Sequence, residues 1–274
     1  MKNVVNQSQI IHAFIICWTG KEDSARHIAN SIQSSVEYLT IIYSNTTGKI
    51  EEGAGKWFKV PNEWYSGKKF QKCLQLYSGT IMLYIAADVT TNNWPRLINR
   101  CRNTHAQYKN LGIWAPDIDY TPYNSKRVII ANIKESQFAL VSNTDSIVWS
   151  LSNPVVRRLK ELDYECNNLG WGIDWLAISY ALANNLLVIR DLSIKIIHPK
   201  GTGYDQPLAQ KQMTIFLNQL TNREKLLLSW LDTFTCRGTQ QTLKTRLKCL
   251  LLKMLVHFQF LGRSVRMIIP EKNG

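Results

Sequence analysis

The sequence predicts an α/β fold: a mainly parallel sheet flanked by helices, followed by a C-terminal helical appendage. Three observations point there. Short apolar runs of strand type alternate with helix-periodic segments through the first half. At 274 residues, with 45% apolar and 19% charged residues, the chain has the composition of a folded protein with a sizeable core. From about Pro207 the pattern becomes purely helical and basic. These features divide the chain into an α/β domain over 1–206 and a basic helical region over 207–274.

In order, "HAFIICW" (12–18) is an apolar strand. In "TGKEDSARHIANSIQSS", Glu22 and Asp23 precede Ile28 and Ile32 at helical spacing. "YLTIIYS" (38–44) and "KWFKVP" (56–61) are the next strands. "GKKFQKCLQLYSG" reads as a helix leading into the strand "TIMLYIAADV". "TTNNWPRLINRCRNTHAQY" is helical, with Pro95 in the first turn, where its missing N–H costs nothing. "LGIWAP", "RVIIANI" and "FALVSNTDSIVWSLS" are strand candidates, and "SNPVVRRLKEL" opens a helix capped by Ser152 or Asn153. "GWGIDWLAISYALANN" is glycine-rich and then helical, and "LLVIRDLSIKIIH" closes the α/β part as a strand.

The net charge of +13 implies a polyanionic partner or surface: nucleic acid, phosphorylated ligands or an anionic membrane. The six cysteines are scattered without CxxC spacing, which favours reduced thiols in a cytosol. The N-terminal stretch has one early lysine and a polar "NQSQ", unlike a signal peptide. No stretch is apolar for the length of a membrane crossing. The expectation is a cytoplasmic protein, soluble or peripherally attached to the inner membrane face.

Four stretches carry chemistry. Asp88 sits near the end of an apolar run, where a buried carboxylate needs a partner, water or a task. It suits a divalent metal and a diphosphate; a structural cap of the next turn is the competing reading. In "LGWGIDW", glycines flank Trp171, an apolar platform for a sugar. Asp174 follows at a helix start, as a base or as a residue favouring the helix dipole. His198 in "IKIIHPKGTGYD" is a competent ligand for Mn-type ions, and Lys200 beside it suits a phosphate. Lys68, Lys69 and Lys72, beside Trp64 and Tyr65, suit a diphosphate or form a solvated helix face.

In this order the segments "FIICWTGKEDSARHIANSI", "YIAADVTTNNW", "VSNTDSIVWSLSNPVVRRL", "LGWGIDW" and "IIHPKGTGYD" resemble the GT-A nucleotide-diphospho-sugar glycosyltransferases, notably family-2-like bacterial enzymes, over roughly residues 10–206. The resemblance implies a GT-A (Rossmann-like) fold. It also implies transfer from a nucleotide sugar, a UDP-sugar foremost, to a hydroxyl of a glycan such as lipopolysaccharide core, O-antigen or capsule. On this pattern Asp174 is the base of an inverting displacement, and Asp88 and His198 bind a metal, Mn or Mg, or the donor diphosphate. Trp18, Thr19, Lys69, Lys72, Asp145, Trp149 and Lys200 line the donor side, and Trp171 with Gly172 the acceptor side. Three positions depart from the pattern: Ala86 replaces the first acid of Asp-x-Asp, Ile173 the first acid before Asp174, and Ser44 the acid after the second strand.

The segment "QTLKTRLKCLLLKMLVHFQFLGRSVRM" (241–267) sets leucines at helical spacing among lysines and arginines, with no acid. Such a helix lies on an anionic membrane, or packs on the domain or on a second subunit of a homo-oligomer. The charge alone would also suit a nucleic-acid-binding protein, but no RNA-binding signature or helix-turn-helix is present, and no nucleic acid is expected. The Ala86 replacement keeps a catalytically inactive transferase-like protein as a further alternative.

Overall fold

A computed structural model describes residues 9–119, 125–134, 136–199, 203, 205–236 and 242–263. The strands are β1 (Ile11–Cys17), β2 (Tyr38–Tyr43), β3 (Lys56–Lys59), β4 (Ile81–Ala86), β5 (Leu111–Ile118), β6 (Ile129–Asn132), β7 (Phe138–Val141), β8 (Val148–Ser152) and β9 (Leu187–Ile196). The helices are α1 (Glu22–Ile32), α2 (Ser66–Leu76), α3 (Trp94–Gln107), α4 (Ser125–Val128), α5 (Asn153–Lys160), α6 (Ile173–Ala183), α7 (Gln206–Phe216), α8 (Asn222–Thr235) and α9 (Leu243–Phe260).

The strands form one sheet in the order β3-β2-β1-β4-β8-β5-β9-β7-β6. β3, β2, β1 and β4 are mutually parallel, as are β5 and β9. β1 is apolar on both faces because helices cover both, and every one of its residues is buried. It has β2 on one side and β4 on the other, so the strand order reverses there and a crevice opens beyond the carboxyl ends.

Three expected elements differ. In "RVIIANI" Arg127 and Val128 end α4, and the strand β6 begins only at Ile129. The run "TIMLYIAADV" is strand only to Ala86; Ala87 and Asp88 form a turn, tied down by the Ala87 N–H donating to the Ile16 carbonyl at 2.9 Å. "FALVSNTDSIVWSLS" is two strands. Asn143 Oδ1 accepts from the Asp145 N–H at 2.9 Å, and Asp145 (φ 62°) and Ser146 (φ 23°) turn the chain out of β7. It re-enters as β8, antiparallel between β4 and β5, with Trp149 opposite Tyr84.

The C-terminal helices pack on the sheet domain. α8 lies on α6, α9 lies on α8 and β6, and Phe216, Leu227, Trp230, Phe234, Leu252 and Val256 join the hydrophobic cluster of the strands. Thr221 and Glu224 form a reciprocal cap at the start of α8. The buried Glu224 also receives Arg158 of α5 through Nε at 2.9 Å and a second guanidinium nitrogen at 3.0 Å.

Candidate active site

The carboxyl ends of β1, β2 and β4 share one edge, and Trp18, Thr19 and Asp88 follow the ends of β1 and β4 there. Trp18 is half-buried and Thr19 exposed in the turn leaving β1, which closes through the Lys21 N–H on the Trp18 carbonyl at 2.9 Å. Beneath this turn Lys69 is buried. Its Nζ donates to the Cys17 carbonyl and to Ser44 Oγ, each at 2.8 Å, so one ammonium ties the ends of β1 and β2 to α2. Burial lowers its pKa to about 8. Ser44, standing where the resemblance has an acid, is thus an acceptor for this lysine. Lys68 pairs with Glu165, Lys72 is half-buried on α2, and Lys200 lies outside the described residues.

The glycines around Trp171 bring two chain segments together at van der Waals limits. Gly170 (φ +88°) packs on Gly67 in the first turn of α2, and a Cβ on Gly170 would lie 2.8 Å from the Gly67 nitrogen. Gly67 in turn donates its N–H to the Asn168 carbonyl at 2.9 Å. Gly172 (φ +85°) leaves room for α7: a Cβ there would meet Met213 Cγ at 2.7 Å. Trp171 between them is half-buried, and its carbonyl accepts from Asn167 Nδ2 at 2.9 Å. This tight loop ends at α6, whose far end packs over Gly112 at the start of β5. An 11-residue helix spans about 16 Å, so Asp174 in its first turn lies toward the carboxyl edge of the sheet.

Asp174 is 8% exposed. Burial raises its pKa above the ordinary value, partly offset by the Trp175 backbone N–H and by Asn143 Nδ2, which donates to Oδ2 at 3.2 Å. A carboxylate held this way is a stronger proton acceptor than one in water.

Asp88 and His198 meet although 110 positions separate them in the chain. The cause is a bulge in β9. Asp191 Oδ1 accepts from the Ser193 N–H at 3.0 Å and from Ser193 Oγ at 2.6 Å, and the pairing with β5 shifts from Pro116–Asp191 to Asp117–Lys195. The end of β9 then swings across to the turn after β4. There Thr90 and Ile197 exchange backbone hydrogen bonds at 2.9 and 2.8 Å, and Asp119 Oδ1 accepts from the His198 N–H at 3.0 Å. The result sets Asp88 Oδ2 3.5 Å from His198 Nε2, longer than a hydrogen bond should be. Asp88 Oδ1 and His198 Nδ1 are both buried without a hydrogen-bond partner.

The facing pair, Asp88 Oδ2 and His198 Nε2, suits a cation. A carboxylate oxygen and an imidazole nitrogen are ligands of the Mn type. Their 3.5 Å spacing is that of two ligands on one ion with bonds of about 2.1 Å. Among the described residues no group of three or more His, Cys, Asp and Glu side chains could hold a metal. Beside Asp88, a cleft of about 270 Å³ opens between the starts of α1 and α3, lined by Asp23, Ser24, His27, Val89, Thr90 and Trp94 among others.

Trp149 is buried, with its ring 5.9 Å from Phe70, and Asp145 is half-buried at the strained turn before β8. The sequence reading missed Arg190, which is 1% exposed in β9. It donates to the Asn143 carbonyl at 3.0 Å and faces Asp117 at 3.9 Å, so it anchors the turn that carries Asn143 to Asp174. Its signal was an arginine inside an apolar strand, a position that burial makes expensive unless the charge has partners.

The sequence matches no family model and no curated protein. Solved structures resemble it in shape. The GalNAc-T7 complex with UDP, GalNAc and Mn2+ superposes with a TM-score of 0.57 at 9% identity, over 92% of this chain and 55% of that one. Mannosyltransferase PcManGT from Pyrobaculum calidifontis, with GDP-Man and Mn2+, gives 0.53 at 9% identity over 93% and 76%. The chain has a GT-A fold. At such identities this GT-A likeness concerns the backbone. A mycobacterial protein also matches, with a TM-score of 0.51 at 11% identity over 83% of this chain and 75% of that one. Among the described residues, no helix of the GT-A chain is long and apolar enough to cross a membrane.

Proposed function

We propose that this chain is a nucleotide-sugar glycosyltransferase that inverts the anomeric carbon. The observation that carries the reading is the set of groups built around one sheet edge: Asp88 with His198, each with an unsatisfied buried atom, and Asp174, a buried carboxylate at a helix start. The GT-A neighbours crystallised with UDP and with GDP-Man support a nucleotide-sugar donor, because the crevice beyond β1 and β4 is where such folds take a ligand.

In this reading the acceptor hydroxyl gives its proton to Asp174, and its oxygen bonds to the anomeric carbon. The bond from that carbon to the diphosphate breaks, and the nucleoside diphosphate leaves with the electron pair. A single displacement of this kind inverts the carbon. Asp88 and His198 would hold a divalent cation, which when bound neutralises the leaving diphosphate. Lys69 and Trp149, both buried, shape the floor of the site. Trp171 and the loop around Gly172 form the acceptor side. Protonation of Asp174 on acidification removes the base, so turnover falls as pH drops through its raised pKa.

A thermal-shift panel of nucleoside diphosphates and nucleotide sugars, each with Mn, Mg or EDTA, tests the reading. At least one nucleotide sugar should raise Tm, more so with Mn than with EDTA. The Mn-dependent part should vanish in Asp88→Ala and His198→Ala. A panel that leaves Tm unmoved throughout would sink the reading.

A further inference from the structure

We propose that the solvent face of α9 docks on an anionic lipid surface. The helix is apolar on two opposite faces. One face, with Cys249, Leu252, Leu255, Val256 and Gln259, packs into the protein; Gln259 Nε2 donates to the Leu182 carbonyl at 2.7 Å. The other carries Leu243, Leu247, Leu250, Met254 and Leu261, which are 84, 53, 54, 47 and 51% exposed. Spaced by four, three, four and seven residues, they form one stripe about 27 Å long. The stripe also carries exposed His257 between Met254 and Leu261; five aligned apolar side chains on a surface still mark an interaction site, since scattered single leucines would not align.

The charges around the stripe select its occupant. From Thr242 to Arg263 there is no acidic residue. Arg246 and Lys253 stand exposed along one border of the stripe and Lys244 along the other. Lys248 is committed inward, with Nζ donating to Ser229 Oγ at 2.5 Å. A second copy seated face to face would bring the same cations against each other, which disfavours self-association. Nucleic acid would leave the leucines without a partner. Apolar side chains between cationic borders match a leaflet of acyl chains and anionic headgroups.

Flotation of the full chain with vesicles tests this, and it needs no substrate, so its outcome is separate from that of the transferase reading. Wild type should float with vesicles of phosphatidylcholine and phosphatidylglycerol in equal parts, but not with phosphatidylcholine alone. Leu250→Ser, Met254→Ser and Leu261→Ser together should cut binding at least tenfold without lowering Tm. Arg246→Gln with Lys253→Gln should cut it by about twenty-five-fold, each cation near such a surface contributing about fivefold. Four results would overturn the proposal. The first is a wild type that does not float, and the second is equal flotation with neutral vesicles. The third is a triple-serine variant that binds like wild type. The fourth is one whose Tm falls or whose oligomeric state changes, since the stripe would then be covered by this chain or by a second copy.

Discussion

Replacing Gly67 with alanine probes how the site is assembled. The new Cβ would stand 1.8 Å from the Asn167 carbonyl oxygen and 3.0 Å from that of Asn168. An ordinary C···O contact needs a retreat of about 1.5 Å by the loop, because such contacts begin near 3.3 Å. Overpacking of this kind costs about 1–3 kcal/mol, and the Gly67–Asn168 hydrogen bond, worth about 1 kcal/mol, is stretched or lost. Alanine returns up to about 1 kcal/mol of helix propensity. The net loss is about 2 kcal/mol, which lowers Tm by about 4–8 °C in a chain of this size. Turnover should fall as well, because the displaced loop leads directly into Gly172 and Asp174. Calorimetric melting of Gly67→Ala beside Ser66→Ala, an exposed neighbour expected to change stability by less than about 0.5 kcal/mol, reads the effect. If both variants melt with wild type, the close packing of α2 on the 167–170 loop is not what holds the site.

Two further outcomes follow from buried charges. For Glu224, burial pushes the carboxyl pKa up, but the hydrogen bonds from Arg158 and Thr221 and the Arg158 charge together outweigh it, and the net shift is downward. A lowered folded pKa means stability that is present above the ordinary value near 4.5 and lost as pH falls through the folded value. Glu224→Gln should therefore cost about 2 kcal/mol at neutral pH, with the gap to wild type closing in acid. Asp174 has the opposite sign: its raised pKa makes the charged form a burden on the fold above the ordinary carboxyl value. Asp174→Asn should melt higher than wild type at neutral pH and lose that advantage below pH of about 4; a neutral-pH melt below wild type would contradict it.

Much of the fold could be read directly because parallel strands covered on both faces leave continuous apolar runs, as in β1 and β4. The insertion of β8 between β4 and β5 could not, since strand order is set by contacts far apart in the chain. Asp88 and His198 were each visible as strand-end residues. Their meeting depends on the β9 bulge and the Thr90–Ile197 bridge, which leave no local pattern. Lys69 is a different case. It stands four residues before buried Cys73, so helical spacing already put it on the inward face of α2, against its reading as one of a surface cluster. Arg190 was hidden by its neighbours: within "LLVIRDLSIKIIH" the apolar pattern outweighed the single charge that anchors Asn143.

The most direct test of the central claim is release of nucleoside diphosphate from a nucleotide sugar that raises Tm, followed with a glycan acceptor for wild type and Asp174→Asn. The account predicts turnover by wild type and a rate lowered by about 10²–10⁴-fold in the variant, the usual contribution of a positioned base, with donor affinity unchanged. Equal rates in the two proteins would contradict it, as would release by neither.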